Sequence, residues 1–138
     1  IEMVSHGISK RYLQGQVHCF LNSPTVAERA RQTGETRSMA AMTEWPTHLG
    51  GSIVAIGNAP TALFRLLELL DEGASRPALI IGMPVGFINA AESKQALWDV
   101  APSEFQTPCI TLLGRRGGSS LAAATLNALA RMAHGIRF

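Results

Sequence analysis

A chain of 138 residues with 46% hydrophobic and 6% aromatic content can bury the core of one α/β domain packed mostly with aliphatic side chains. Twelve basic and ten acidic residues leave a formal charge of +2, too little to wrap a polyanion, and no apolar run approaches the roughly 20 residues that span a bilayer. Nucleic acid and membrane are therefore not expected as partners. Cys19 and Cys109 form no disulfide framework, which predicts a reduced, cytoplasmic setting.

The chain opens Ile1-Glu2-Met3-Val4, with neither an initiator methionine nor a charged and apolar leader, so a fragment or processed chain is expected. Glu2 to Gly7 reads as a helical turn closed by glycine, and Tyr12 to Gln16 as a loop. Val17-His18-Cys19-Phe20-Leu21 is a strand candidate stopped by Asn22-Ser23-Pro24. Thr25 to Gln32 forms a short polar helix ended by Gly34. Thr36-Arg37-Ser38 opens another, with Met39, Ala40, Met42 and Trp45 on its buried side and Pro46 at its end.

The stretch Ser52 to Thr61 organises the rest of the chain. Ile53 to Ile56 is an unbroken apolar run, the pattern of a strand buried on both faces. Gly57 and Asn58 allow a sharp turn, and Pro60 suits the first turn of a helix carrying Leu63, Phe64, Leu66, Leu67 and Leu70. The same grammar recurs twice. Ala78 to Ile81 is a strand broken at Gly82 to Phe87, followed by a helix from about Asn89 to Val100 and a loop from Ala101 to Pro108. Cys109 to Leu113 is the third strand, Gly114 to Ser119 its turn, and Ser120 to Ala133 an alanine-rich helix. Alternating strands and helices imply an α/β fold: a mostly parallel sheet, right-handed crossovers and helices on both faces in three layers, with residues 1–138 forming a single domain.

Three strand-ending turns should meet at one edge of that sheet, each feeding a helix whose N-terminal end favours anions. Arg115 and Arg116 add two full charges to one of them. Ten of the twelve cations are arginines, which suits bidentate carboxylate or phosphate recognition but is equally a product of GC-rich coding. No turn has the P-loop or dinucleotide pattern, and no Gly-x-Ser-x-Gly elbow occurs. His6, His18, His48 and His134 have no metal-ligand spacing, so no metal site is expected. The crevice reads as built for a large, anionic, mostly carbon ligand.

Five motifs in order carry a resemblance over essentially the whole chain. They are Thr36-Arg37-Ser38, Gly57-Asn58-Ala59-Pro60-Thr61-Ala62-Leu63, Gly82-Met83-Pro84-Val85-Gly86-Phe87, Ala91-Glu92-Ser93-Lys94 and Gly114-Arg115-x-Gly117-Gly118-Ser119. Together they resemble the precorrin-8X methylmutase family, and this chain resembles its C-terminal part. The resemblance implies an isomerase that moves a methyl group from carbon 11 to carbon 12 of a carboxylate-fringed tetrapyrrole, giving hydrogenobyrinate for cobalamin synthesis. It implies no metal or organic cofactor, and a homodimer with its sites at the interface.

Carried over residue by residue, the resemblance gives Thr36, Arg37 and Ser38 the substrate carboxylates or ring periphery, with Arg37 the strongest clamp. Asn58, Ala59 and Thr61 would line the pocket, and Pro84, Val85, Gly86 and Phe87 would lie against the macrocycle. Arg115 with the backbone of Gly117, Gly118 and Ser119 would take further carboxylates. Family members carry their catalytic histidine in a longer N-terminal region whose local sequence nothing here matches, so no catalytic residue is assigned. Leu113 stands where an arginine is common, Glu35 where it could repel a carboxylate, and the Trp98 to Gln106 loop reads as longer than typical. A corrinoid-binding remnant without the proton donor is the alternative from another class. An unrelated anion-binding α/β module is the third.

Overall fold

The structure, a computed structural model, describes residues 2–13 and 15–135; Ile1 and Gln14, which belong to the expected N-terminal turn and loop, lie outside them. Three strands, β1 (Ile53–Ile56), β2 (Leu79–Gly82) and β3 (Cys109–Thr111), pair in parallel in the order β1-β2-β3. Ile53 stands opposite Leu79, and Ile80 opposite Cys109, so the three strand ends reach one edge together.

Side-chain alternation along these strands decides which face each residue serves. Val54, Ile56 and Ile80 point to a core with Leu63, Leu66 and Leu70 of α4 (Pro60–Asp71) and Leu97 of α5 (Ala90–Glu104). Ile81 points the other way, toward Val4 of α1 (Glu2–Gly7) and Ala122, Ala123 and Leu126 of α6 (Ser119–Ala133), with Ala55 and Ile110 against the same cluster. Helices therefore cover both faces of a parallel sheet, as expected. The small side chains of α6 let it lie close: a Cβ on Gly7 would stand 2.7 Å from that of Ala123.

The remaining elements flank this sandwich. Helix α2 (Pro24–Thr33) ends at Gly34, whose φ of 75° places it in the left-handed region that glycine adopts freely. Helix α3 (Arg37–Ala41) begins at Thr36, whose hydroxyl accepts from the Met39 N–H at 3.2 Å, and continues into a 3-10 turn at Met42–Glu44. Ala40, Met42 and Trp45 are buried as expected, whereas Met39 is only half-buried.

Four local expectations are corrected. Val17 to Leu21 forms no strand: residues 17–20 have no regular structure and pair with nothing in the described sheet, and Leu21 begins a turn. β1 is not buried on both faces; it is an edge strand among the described residues, and Ile53 remains 48% exposed. β3 stops at Thr111, leaving Leu112 and Leu113 exposed in the turn.

The fourth concerns α5, which runs on through Pro102 to Glu104 where a loop was expected. Proline removes one helical N–H, but the end of this helix is fastened by tertiary contacts. Phe105 is buried under the Arg76 guanidinium, 4.7 Å from the ring centroid, and the N–H of the fully buried Thr107 reaches the Ala101 carbonyl at 2.9 Å.

Candidate active site at the ends of the strands

The turn after β1 is short because Gly57 allows it to be. A Cβ there would stand 2.6 Å from the Ser119 Cα and 2.7 Å from the Val4 side chain, so glycine admits α1 and the start of α6 to the end of β1. Pro60 opens α4 without losing a helical bond, and Thr61 beside it faces Thr36, their hydroxyls 3.2 Å apart. The starts of α3 and α4 are thereby joined.

The turn after β2 is held from both sides. Its Met83 N–H donates to the Ile56 carbonyl at 2.8 Å, and its Met83 carbonyl accepts from the Gly118 N–H at 2.8 Å. The Gly86 N–H donates to the Arg115 carbonyl at 3.2 Å, and Gly117 lies directly on the carbonyls of Met83 and Pro84. Arg115 extends over the Phe87 ring, 5.3 Å from its centroid. The residues around Asn58, Pro84, Gly86, Arg115 and Ser119 thus form one connected set at the strand ends.

Exposure within this set is uneven. Pro84 is buried and Ala59 half-buried, while Asn58, Arg115 and Arg116 face solvent. Val85, Phe87 and Ile88 make an exposed apolar rim, with Phe87 83% and Ile88 81% exposed. Arg37 points elsewhere than the β3 turn. One of its terminal nitrogens donates to the Leu21 carbonyl at 3.0 Å and to Asn22 Oδ1 at 3.3 Å, so the turn at residues 21–22 holds the guanidinium; Ser38, next in sequence, is half-buried.

An anionic ligand would meet arginine charge, backbone N–H groups and an apolar rim together, and such a site suits carboxylates on a carbon framework. Among known proteins, the sequence profile described as precorrin-8X methylmutase matches residues 1–132. The chain belongs to the precorrin-8X methylmutase family.

Relatives bearing the name precorrin-8X methylmutase include one from Sinorhizobium sp., 52% identical over 132 residues, covering 94% of this chain and 61% of that protein. Another, from Pseudomonas aeruginosa, is 52% identical over 93% of this chain and 61% of that protein. A cobalt-precorrin-8 methylmutase from Priestia megaterium is 39% identical over 96% of this chain and 58% of its own length. The solved precorrin-8X methylmutase of Thermus thermophilus superposes with a TM-score of 0.85 at 42% identity, over 98% of this chain and 64% of that one. The chain thus spans about three fifths of the curated relatives it matches.

Within this member of the precorrin-8X methylmutase family, Glu35 is no free carboxylate. Arg29 pairs with it at 2.9 Å and holds its carboxyl below the usual carboxylate range, so α2 neutralises the charge beside Thr36. Sequence reasoning gave no role to Lys94, which is completely buried in the second turn of α5 and donates to the Arg116 carbonyl. Burial pushes its ammonium pKa down. Its rarity was the available signal, for Lys10 is the only other lysine.

A separate cavity of about 630 Å³ lies along the outer edge of β1, away from the three turns. Ile53, Ala55, Phe20, Trp45, His18 and His48 are among the residues that line it, and the rings of His18 and His48 sit 4.7 Å apart. Among the described residues no group of three or more His, Cys, Asp or Glu side chains is placed to hold a metal ion, and no helix is long and apolar enough to cross a membrane.

Proposed function

We propose that this chain supplies the substrate-binding part of a precorrin-8X methylmutase, the isomerase that shifts a ring methyl group within a carboxylate-fringed tetrapyrrole. The observation that carries the proposal is the interlocking of the β2 and β3 turns, which presents Arg115 and the backbone from Gly117 to Ser119 beside Phe87. Arg115 takes a carboxylate, Phe87 and Val85 lie against the macrocycle, and Asn58, Ala59 and Thr61 line the wall nearer Thr36. Arg37 and Ser38 take a second carboxylate at the far side, the guanidinium keeping donors beyond those engaged by Leu21 and Asn22. Clamped in this way, the ring is held bent. A proton delivered to it promotes a 1,5-sigmatropic methyl shift in which one carbon–carbon bond breaks as another forms. Substrate and product are isomers, so the step needs no external methyl donor.

The exposed apolar rim at Val85, Phe87 and Ile88 supports a homodimer with the sites near its interface, since contiguous apolar surface marks association sites. Two free cysteines support a cytoplasmic setting.

A second reading, corrinoid binding without turnover by this chain, is favoured by where its histidines stand. His6 lies on α1, His18 and His48 at the β1 cavity, and His134 beyond α6 beside the Tyr12 carbonyl. General acid catalysis typically contributes about 10²- to 10⁴-fold, so binding without a donor would leave little activity.

The experiment is a visible-absorbance titration of the chain with hydrogenobyrinic acid, followed by a methyl-migration assay on precorrin-8X. Saturable binding with turnover supports the isomerase, and saturable binding alone supports the second reading. No binding by the folded chain would sink both.

A further inference from the structure

Lys94 is a buried cation without a buried partner. Its side chain is wholly inaccessible, and the ion pairs among the described residues belong to Arg29, Arg31 and Arg65. Burying a charge in this way is costly, and an apolar side chain of similar size would avoid the cost. The ammonium instead reaches across 22 residues of sequence to the Arg116 carbonyl in the β3 turn.

That bond has a geometric consequence. The described peptides are all trans, and in a trans peptide the carbonyl and the following N–H point to opposite sides. With the Arg116 carbonyl drawn toward the buried Lys94, the Gly117 N–H is turned away from it, in a turn whose neighbouring Arg115 and Arg116 are exposed. The neighbouring Gly118 N–H is taken by Met83 and the Gly86 N–H by Arg115, but the Gly117 N–H has no acceptor among the described residues. Gly117 cannot slide to find one, because it rests on the Met83 and Pro84 carbonyls.

We propose that Lys94 is a positioning residue, whose buried ammonium sets the Arg116–Gly117 peptide so that the Gly117 N–H and the Arg115 guanidinium together receive one carboxylate of the ligand. The identity of that ligand rests on the corrinoid reading above; the orientation of the peptide does not.

The test uses the full chain with Lys94→Met and Lys94→Arg, and reads two quantities. The first is the direction of the Gly117 N–H vector from residual dipolar couplings without ligand. The second is affinity for hydrogenobyrinic acid by absorbance, with the Gly117 amide resonance followed during the titration. Lys94→Met should reorient the vector and weaken binding about tenfold, the scale of one hydrogen bond to a charged group. Lys94→Arg, which keeps a cationic donor, should retain the vector and rescue most of the affinity. A folded Lys94→Met chain with the wild-type vector and affinity overturns the proposal. Should Lys94→Met fail to fold, Lys94→Gln is read in the same way: a turned vector with weaker binding supports the role, and the wild-type vector and affinity overturn it. If the wild type binds no corrinoid while the vector still turns in Lys94→Met, the corrinoid reading falls and the orienting role of Lys94 stands.

Discussion

Gly117 lies so close to Met83 that no side chain fits between its Cα and the Met83 carbonyl, and a Cβ there would also stand 2.6 Å from the Pro84 carbonyl oxygen. Both obstacles are backbone, and the Gly118 N–H ties the same Met83 carbonyl in place. Gly117→Ala must therefore push the β3 turn off the β2 turn. A stability loss of about 1–3 kcal/mol is expected from overpacking, together with weaker corrinoid binding. Urea unfolding and absorbance titration of one preparation measure both. A variant with unchanged midpoint and affinity would show that the two turns do not depend on their contact.

Arg37 holds the 21–22 turn with one nitrogen, and in the proposed function its other donors go to a ligand. Arg37→Ala should weaken corrinoid binding by about 10- to 100-fold, as expected for losing a charge-assisted pair, and change stability by about 1 kcal/mol or less because the side chain is exposed. Arg37→Lys should recover only part of the affinity, since an ammonium cannot make the bidentate contact. Binding by Arg37→Ala equal to wild type would remove Arg37 from the site.

Thr36 caps α3 through its hydroxyl and meets Thr61 across the crevice wall. Thr36→Ala should cost about 0.5–2 kcal/mol in thermal or urea unfolding, while Thr36→Ser should restore nearly all of it. If serine destabilises as much as alanine, the methyl group rather than the cap is what matters.

Alkaline pH separates the buried Lys94 from the half-buried Cys109 by the sign of their effect on stability. The Lys94 pKa is lowered from 10.5 by burial, so as pH rises toward 10.5 the folded state sheds its proton first and is relieved of a buried charge. Stability contributed at this site therefore rises with pH in the window below 10.5, and that slope should vanish in Lys94→Met. Cys109 behaves oppositely. Burial raises its thiol pKa above 9.0, so past pH 9.0 the unfolded chain ionises first and stability falls, a slope absent from Cys109→Ala. Urea midpoints from neutral to alkaline pH for the three proteins test both signs. A Lys94→Met profile parallel to wild type would contradict the first.

Leu97 fills the space above the strand end, where a Cβ on Gly82 would come within 2.5 Å of it. Being wholly buried, Leu97→Ala should lose about 2–5 kcal/mol by leaving a cavity in the core shared with α4. Gly82→Ala alone should also destabilise, and the pair should cost less than the sum of the two, because alanine at one site occupies space vacated at the other. Strict additivity would show that the two sites do not share that space.

Much of the fold is legible in the residues. Gly57 and Pro60 bracket a turn between an apolar run and a helical repeat, and β1 and α4 fall where that punctuation puts them. Val17 to Phe20 has strand composition but no paired neighbour in the described sheet, and strand identity is conferred by pairing rather than by sequence alone. Pro102 misleads for the opposite reason: local propensity argues for a break, and the burial of Phe105 and Thr107 overrides it.

The sequence by itself determined the alternation of strand, glycine turn and helix, and hence the parallel sheet with its turns on one edge, since periodicity and backbone freedom are local properties. It also carried the family, through short motifs whose order survives without coordinates. Only the tertiary structure decided that Glu35 is neutralised by Arg29, that Arg37 leans on the 21–22 turn, and that Lys94 holds the Arg116 carbonyl from beneath. Each of these depends on which side chains meet across the chain, where burial and charge act through distance in space rather than separation in sequence.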